Sequence, residues 1–138
     1  MRTLLDTGPL VATLDRSDKH HIACAELLTT LPGRLLVPAS VVVEVCWMVE
    51  QRPDVEAAFL NAVARGEFEL VGVTEDDLTR MAELVSRYAD FPLGAVDASV
   101  IALAERLDVR QVATLDRRHF LAVRPRHVEA LTLVPHLD

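Results

Sequence analysis

Four acidic side chains stand inside segments that are otherwise apolar. They are Asp6 in LLDTGPL, Glu44 in VVVEVCWMV, Asp97 in LGAVDASVIALA and Asp116 in VATLDRR. Taking an ionised carboxylate out of water without a partner is costly, so acids placed in this way need a compensating group. Oxygen ligands of this kind suit hard divalent cations such as Mg²⁺. If the four segments converge, the sequence therefore predicts one acidic pocket that binds a metal ion.

Helix capping is the alternative interpretation for two of these acids. Asp6 could cap the helix that follows it, and Asp116 could cap a short turn over residues 117–120. Glu44 and Asp97 lie in mid-segment between Val, Ala and Trp residues, where a capping side chain has little to do. Capping alone therefore does not explain the whole set.

Other catalytic motifs account for the sequence less well. The D-T-G at Asp6 could belong to an aspartic protease, but that class needs an all-β chain with a second such motif, and this chain is rich in helices after Gly8. The sequence contains no glycine-rich phosphate loop, nucleophile elbow or Cys/His metal spacing. Cys24 and Cys46 lie in apolar segments, as reduced core thiols do.

Asp90, in YADFPLG, is either an ordinary loop residue or a support for the acidic pocket.

Strands are predicted to alternate with helices along the chain. The predicted strands are 2–6, 34–38, 67–73, 109–116 and 131–135. The first predicted helix begins at Gly8-Pro9, and the others are 18–31, 39–51, 53–65, 74–90 and 94–108. This order is typical of an α/β protein with a mainly parallel central sheet flanked by helices, in three α/β/α layers. Asp6 and Asp116 then end two strands, at the edge where ligands of parallel sheets collect.

Finer predictions concern three of these elements. Residues 67–73 alternate acidic and apolar side chains, which indicates a strand near the edge of the sheet. Residues 39–51 contain valines that favour a strand, but the length of the segment favours a helix, which is our assignment. The helix at 74–90 has a capping box at its start and an apolar face made of Leu78, Met81, Ala82 and Val85.

Composition indicates one globular domain over residues 1–138. Hydrophobic residues make up 51% of the chain, charged residues 25% and aromatic residues 4%, which suits an α/β core built on Val, Leu and Ala. The net charge of −7 excludes nucleic-acid binding through overall basicity, so any such contact must be local. Residues 117–127 form one acid-free basic stretch.

The apolar run at the N-terminus is broken by Asp6, too early for a signal peptide or a membrane span, so we expect a cytoplasmic protein.

Four blocks of the sequence resemble the PIN-domain ribonucleases, and particularly the VapC toxins of bacterial toxin–antitoxin pairs. The blocks are LLDTGPLVA, VPASVVVEV, DFPLGAVDASVIALAERL and VATLDRRHF. The resemblance covers essentially the whole chain, and the last two blocks are its most specific part. It implies the three-layer α/β/α PIN fold that the order of the elements also predicts.

The same resemblance implies a reaction and its residues. The reaction is hydrolysis of RNA phosphodiester bonds, dependent on Mg²⁺ with Mn²⁺ as a substitute. The catalytic and metal-binding acids map onto Asp6, Glu44, Asp97 and Asp116, with Thr114 in a supporting position near the metal. Arg117 and Arg118 directly follow Asp116 and could hold the RNA backbone, the alternative being ordinary surface arginines. No histidine base is required.

Partners also follow from the resemblance alone. It implies a small cognate antitoxin of the VapB type that covers the acidic pocket, and a homodimer as the basic unit. The alternative from another functional class is a non-catalytic PIN-like module that binds RNA or protein. Cleavage of RNA in Mg²⁺ that stops with EDTA separates the two.

Overall fold

A computed structural model describes residues 1–136, in which five strands alternate with seven helices. The strands are β1 (Arg2–Leu5), β2 (Arg34–Pro38), β3 (Glu69–Val71), β4 (Gln111–Ala113) and β5 (Thr132–Val134). The helices are α1 (Thr7–Leu14), α2 (His21–Thr30), α3 (Ala39–Met48), α4 (Pro53–Ala64), α5 (Glu75–Arg87), α6 (Ala95–Leu107) and α7 (Arg117–Ala122). The predicted α/β alternation is confirmed.

All five strands form one parallel sheet in the order β3-β2-β1-β4-β5. The central strand β1 is buried on both faces, since its successive residues Thr3, Leu4 and Leu5 all have 0% exposure. Helices therefore cover the sheet on both sides, as predicted. The strand predicted over 67–73 shortens to β3 and lies at the edge of the sheet, where the side chain of Leu70 is exposed.

The register of β1 and β4 determines what lies at the carboxyl edge of the sheet. Leu5 is paired with Ala113, and the Asp6 N–H donates to the Ala113 carbonyl at 2.9 Å. Thr114 continues β4 by one residue, and its N–H donates to the Val134 carbonyl at 2.9 Å. Asp6 and Thr114 are thus neighbours immediately beyond the ends of adjacent strands.

Helix α6 is the central helix of the core. All of its residues from Ala98 to Ala104 are buried, and it packs against both α5 and α3. The segment 39–51, with its mixed strand and helix signals, is helix α3 as assigned. Among residues 1–136, no helix combines the length and the apolarity that crossing a membrane would require.

The apolar face predicted for the helix at 74–90 is mostly wrong. Leu78 and Val85 are 55% and 39% exposed, whereas Asp77 and Leu84 are buried. Asp77 completes the predicted capping box with Thr74 and also forms an ion pair with a residue of α6. Polar contacts between α5 and α6 therefore rotate α5 so that part of its apolar face meets solvent.

Candidate functional site

Thr114 connects two of the predicted acids at the carboxyl edge of the sheet. Its side chain is fully buried, and its hydroxyl donates to Asp6 Oδ2 at 2.7 Å. The same hydroxyl oxygen accepts from the Asp116 N–H at 2.9 Å. One threonine thus positions the carboxylate of Asp6 and the backbone of Asp116.

Asp6 lies at the N-cap position of α1, but its side chain makes no capping hydrogen bond. It is 5% exposed and points to Thr114 instead. The capping alternative is therefore wrong for this residue. So is the aspartic protease alternative, because Asp6 stands between a parallel strand and a helix rather than in an all-β chain.

Gly8 allows α1 to approach the same edge closely. A Cβ atom at this position would lie 3.2 Å from the Leu115 Cβ, which is tighter than an ordinary contact. A larger residue would push α1 away from the loop between β4 and α7. The glycine of the opening D-T-G therefore serves packing.

Asp97 and Asp116 meet across the imidazole of His119. His119 Nδ1 lies 2.5 Å from Asp116 Oδ2 and 4.0 Å from Asp97 Oδ2. Potential ligand atoms of the three residues all lie within 4.8 Å of one another, a spacing that fits a metal ion. Asp116 also occupies the N-cap of α7 and accepts from the His119 N–H at 3.4 Å, so its predicted capping role accompanies its place in the cluster.

Glu44 faces the same pocket from α3. Its charge raises the pKa values of both Asp6 and Asp97. A hydrogen bond of 2.7 Å between the hydroxyls of Ser40 and Ser99 joins α3 to α6 one turn before Glu44 and two residues after Asp97. The structure therefore brings together all four predicted acids; their catalytic role stays a prediction.

The four acids of the pocket repel one another. Burial raises the pKa of Asp97 to about 7, with further increases from Asp6, Asp116 and Glu44 and an opposing effect of His119. The pKa of Asp6 is also raised by burial, against the lowering effect of the Thr114 hydrogen bond. Carboxylates that cannot all ionise comfortably by themselves are a fitting donor set for a divalent cation, whose charge removes the repulsion.

His119 is the site residue that sequence reasoning missed. It lies in the basic stretch 117–127, but it also follows Asp116 by three residues, a spacing that brings side chains together on a helical turn. The rings of Phe91 and His119 make a T-shaped contact, with centroids 5.0 Å apart. The loop before α6 thus supports the imidazole that joins Asp97 and Asp116.

The two predicted RNA-binding arginines lie beside the pocket. Arg118 is exposed, and its guanidinium stands over the Phe91 ring at 5.2 Å from the centroid. Arg117 is half-buried and donates to the Pro135 carbonyl at 3.5 Å. Asp90 is exposed in the preceding turn and forms no ion pair with any residue in 1–136, which favours the ordinary loop interpretation.

Comparison with known families and proteins agrees with this architecture. Residues 3–124 match the PIN domain. Ribonuclease VapC26 of Mycobacterium tuberculosis (strain ATCC 25618 / H37Rv) is 34% identical over 134 residues, which span 96% of this chain and 99% of that protein. The chain belongs to the PIN domain family, and within it to the VapC-type proteins.

Solved structures show the same fold. Mycobacterium tuberculosis VapC20, a sarcin–ricin loop cleaving toxin, superposes with a TM-score of 0.80 at 18% identity, covering 92% of this chain and 98% of that one. VapBC2 from Rickettsia felis bound to a DNA fragment from its promoter has a TM-score of 0.70 at 14% identity, and the match covers 97% of this chain and 98% of that one. A toxin–antitoxin complex from Klebsiella pneumoniae has a TM-score of 0.70 at 19% identity, and the match covers 96% of each chain.

Proposed function

We propose that the protein is a metal-dependent endoribonuclease that hydrolyses RNA phosphodiester bonds, as the toxin of a toxin–antitoxin pair. The observation that carries this proposal is the group of four carboxylates at the carboxyl edge of a parallel sheet, in a PIN chain that is 34% identical to a ribonuclease. Mg²⁺ is the proposed ion and Mn²⁺ its substitute, because both accept the oxygen ligands that these side chains offer.

Each acid has a proposed role that follows from its surroundings. Asp6 and Asp97 hold the cation most directly, because both carboxyl groups are shielded from solvent and have raised pKa values. Asp116 and Glu44 complete its surroundings, directly or through water. When bound, the divalent ion activates a water molecule and stabilises the charge that develops on the phosphate oxygens.

Three neighbouring residues assist in this proposal. Thr114 keeps the carboxylate of Asp6 and the backbone of Asp116 in fixed positions through its two hydrogen bonds. Arg117 and Arg118, at the start of α7, contact the RNA backbone beside the acids. Their guanidinium groups suit phosphate oxygens, which they can bind in pairs of hydrogen bonds.

Replacing Asp6 and Asp97 by amides tests the reaction. We expect Asp6→Asn and Asp97→Asn to abolish cleavage of RNA in Mg²⁺ and to weaken the binding of Mn²⁺ in a calorimetric titration, with the fold retained. Wild-type cleavage should also stop in EDTA. The matched control is Asp108→Asn, because Asp108 is 63% exposed and its positive φ of 53° suits asparagine.

Undiminished cleavage by either pocket variant would contradict the mechanism. Wild-type binding of RNA with no cleavage in Mg²⁺ or Mn²⁺ would favour the non-catalytic PIN-like module instead. Equal loss of activity in Asp108→Asn would show that the assay responds to general damage rather than to the pocket.

The proposal includes the partners and the compartment. A cognate antitoxin of the VapB type would cover the acidic pocket, and the toxin would form a homodimer that acts on RNA in the cytoplasm. The toxin–antitoxin complexes among the similar folds support the antitoxin. Co-expression with a candidate VapB-type antitoxin tests it: we expect a stable complex that does not cleave RNA, whereas a complex that cleaves RNA as fast as the free chain would contradict an inhibitory partner.

A further inference from the structure

A basic cleft lies between the C-terminal half of α5 and the segment that follows α7. We call it the arginine cleft; its volume is about 780 Å³, and it is lined by Arg80, Glu83, Ser86, Arg87, Arg124, Pro125 and Arg126. Four arginines face one glutamate there, although the whole chain carries a net charge of −7. The cleft therefore concentrates positive charge on a protein whose overall field repels anions.

Two of the four arginines have no acidic partner within residues 1–136. Arg80 is paired with Glu105 at 2.8 Å, and Arg126 with Glu83 at 2.8 Å. Arg87 and Arg124 are exposed, and neither forms an ion pair with another residue of the described range 1–136. The charge of these two side chains is available to an anion from outside the molecule.

Tyr88 and Phe91 connect the arginine cleft to the acidic pocket. The Tyr88 hydroxyl accepts from the Arg124 N–H at 3.2 Å, and the Tyr88 carbonyl accepts from the Phe91 N–H at 3.0 Å. Phe91 in turn contacts the ring of His119 in the pocket and lies under the guanidinium of Arg118. Helix α7, which runs from the pocket towards the cleft, has six residues and a length of about 9 Å.

We propose that the arginine cleft is a second RNA-binding site, which holds the single strand a few nucleotides away from the bond that is cleaved. This inference rests on the proposed ribonuclease function. Arg87 and Arg124 bind backbone phosphates, and Phe91 with Arg118 forms a surface between the two sites on which an unpaired base stacks. Guanidinium groups for phosphates and an aromatic ring for bases are the combination that single-stranded nucleic acids require.

An acidic protein segment is the other ligand that four arginines could accept. RNA is favoured because Tyr88 and Phe91 link the cleft to a pocket suited to phosphodiester chemistry. The half-buried Phe91 ring along this route is a feature that a base uses and an acidic peptide does not need.

The double substitution Arg87→Gln with Arg124→Gln tests the site. The readout is the anisotropy of a labelled single-stranded RNA of about twelve nucleotides, titrated with the full chain in EDTA at several salt concentrations. We expect Kd to rise about tenfold and the slope of log Kd against log salt to fall by about 1.4, which corresponds to two lost phosphate contacts on a single strand. Thermal melting should be unchanged, since both side chains are exposed.

A matched double variant removes the same charge elsewhere. Arg16→Gln with Arg65→Gln replaces two exposed arginines in the α1–α2 and α4–β3 connections, away from both sites. We expect this control to bind RNA as the wild type does. An equal loss of affinity in the control, or none in the cleft variant, would overturn the proposal.

Phe91→Leu tests the surface between the two sites separately. It keeps an apolar side chain but removes the ring, so we expect Kd to rise several-fold with no change in the salt slope. Unchanged RNA binding by the cleft variant, together with a lost affinity for poly-glutamate, would assign the cleft to an acidic protein segment and overturn the RNA site. Cleavage in Mg²⁺ is measured separately, so its absence in the wild type would refute the nuclease and leave the binding result interpretable.

Discussion

At the scale of single residues, the acidic pocket depends on groups that hold carboxylates in place. Thr114 is fully buried and uses its hydroxyl both as donor and as acceptor, so a smaller or apolar residue would leave Asp6 without that bond. His119 joins Asp116 and Asp97 from the other side. The acids are therefore arranged before a cation arrives, which limits the reorganisation that binding requires.

The raised pKa of Asp97 makes the metal-free protein sensitive to pH. Its carboxyl has a pKa of about 7 in the folded chain against 3.8 ordinarily, so the folded state holds a proton that the unfolded state releases. This contribution, at most about 4 kcal/mol, is complete below pH 4 and disappears as the pH rises through about 7. In EDTA we expect Asp97→Asn to match the wild type near pH 4 and to melt at an increasingly higher temperature than the wild type as the pH rises to 8.

Melting curves at several pH values, with and without Mg²⁺, check this expectation. Mg²⁺ should stabilise the wild type at pH 8 and have little effect on Asp97→Asn. A difference between the two proteins that stays constant from pH 5 to pH 8 would show that Asp97 ionises normally in the fold. Asp108→Asn serves again as the exposed control.

At the scale of elements, ion pairs determine how α5 lies on α6. Asp77 is 4% exposed and is held by Arg106 at 3.0 Å, while Arg80 binds Glu105 at 2.8 Å. Burial opposes ionisation of Asp77, but the bonds from Arg106 and Thr74 hold its pKa below the usual range. These contacts carry α5 and its C-terminal Arg87 to the place where the arginine cleft forms.

Removing Arg106 should therefore destabilise the fold. In Arg106→Gln, Asp77 keeps its capping box but loses its ion pair, and we expect the free energy of unfolding in urea to fall by about 1–3 kcal/mol. Arg110→Gln is the matched control, because Arg110 is 69% exposed and lies 3.7 Å from an exposed partner. An equal and small effect of both substitutions would mean that the buried pair does not stabilise the contact between α5 and α6.

At the scale of the whole molecule, positive and negative regions are separated along α7. The acidic pocket lies at its start and the arginine cleft beyond its end, so the net charge of −7 conceals a local basic region. A second surface feature is the exposed apolar part of α3, where Val43 and Trp47 are both 70% exposed. A homodimer that buries this face would remove the exposed apolar side chains from water, which favours association.

Trp47 is the sole tryptophan of the chain and reports on this association. We expect its fluorescence maximum to move to shorter wavelength as the protein concentration rises, because the dimer removes the indole from water. Val43→Lys should shift that transition to higher concentration, whereas Leu60→Lys on α4, which replaces another exposed apolar residue, should not. A maximum that is independent of concentration, with sedimentation as a monomer, would argue against a dimer through α3.

Local patterns in the sequence were sufficient for the acids and for every helix and strand described in residues 1–136 except α7, which was expected only as a short turn. The alternation of apolar runs and helical segments predicted the parallel sheet, and acids inside those runs predicted Asp6, Glu44, Asp97 and Asp116. Both predictions depend on residues that are close together in the chain. The relative positions of such residues follow from the period of a strand or a helix. The single domain over residues 1–138 and the catalytic roles of these acids stay predictions.

Tertiary packing decided the rest. The apolar face of α5 was visible in the sequence, but its rotation depended on ion pairs between Asp77 and α6. His119 became part of the pocket only because α7 turns its ring between Asp116 and Asp97. Arg87 and Arg124 are 37 residues apart in the chain, yet the hydrogen bond between Tyr88 and the Arg124 backbone brings their segments together. Such contacts join residues far apart in sequence, and their geometry depends on how whole helices rotate and dock, which no local pattern specifies.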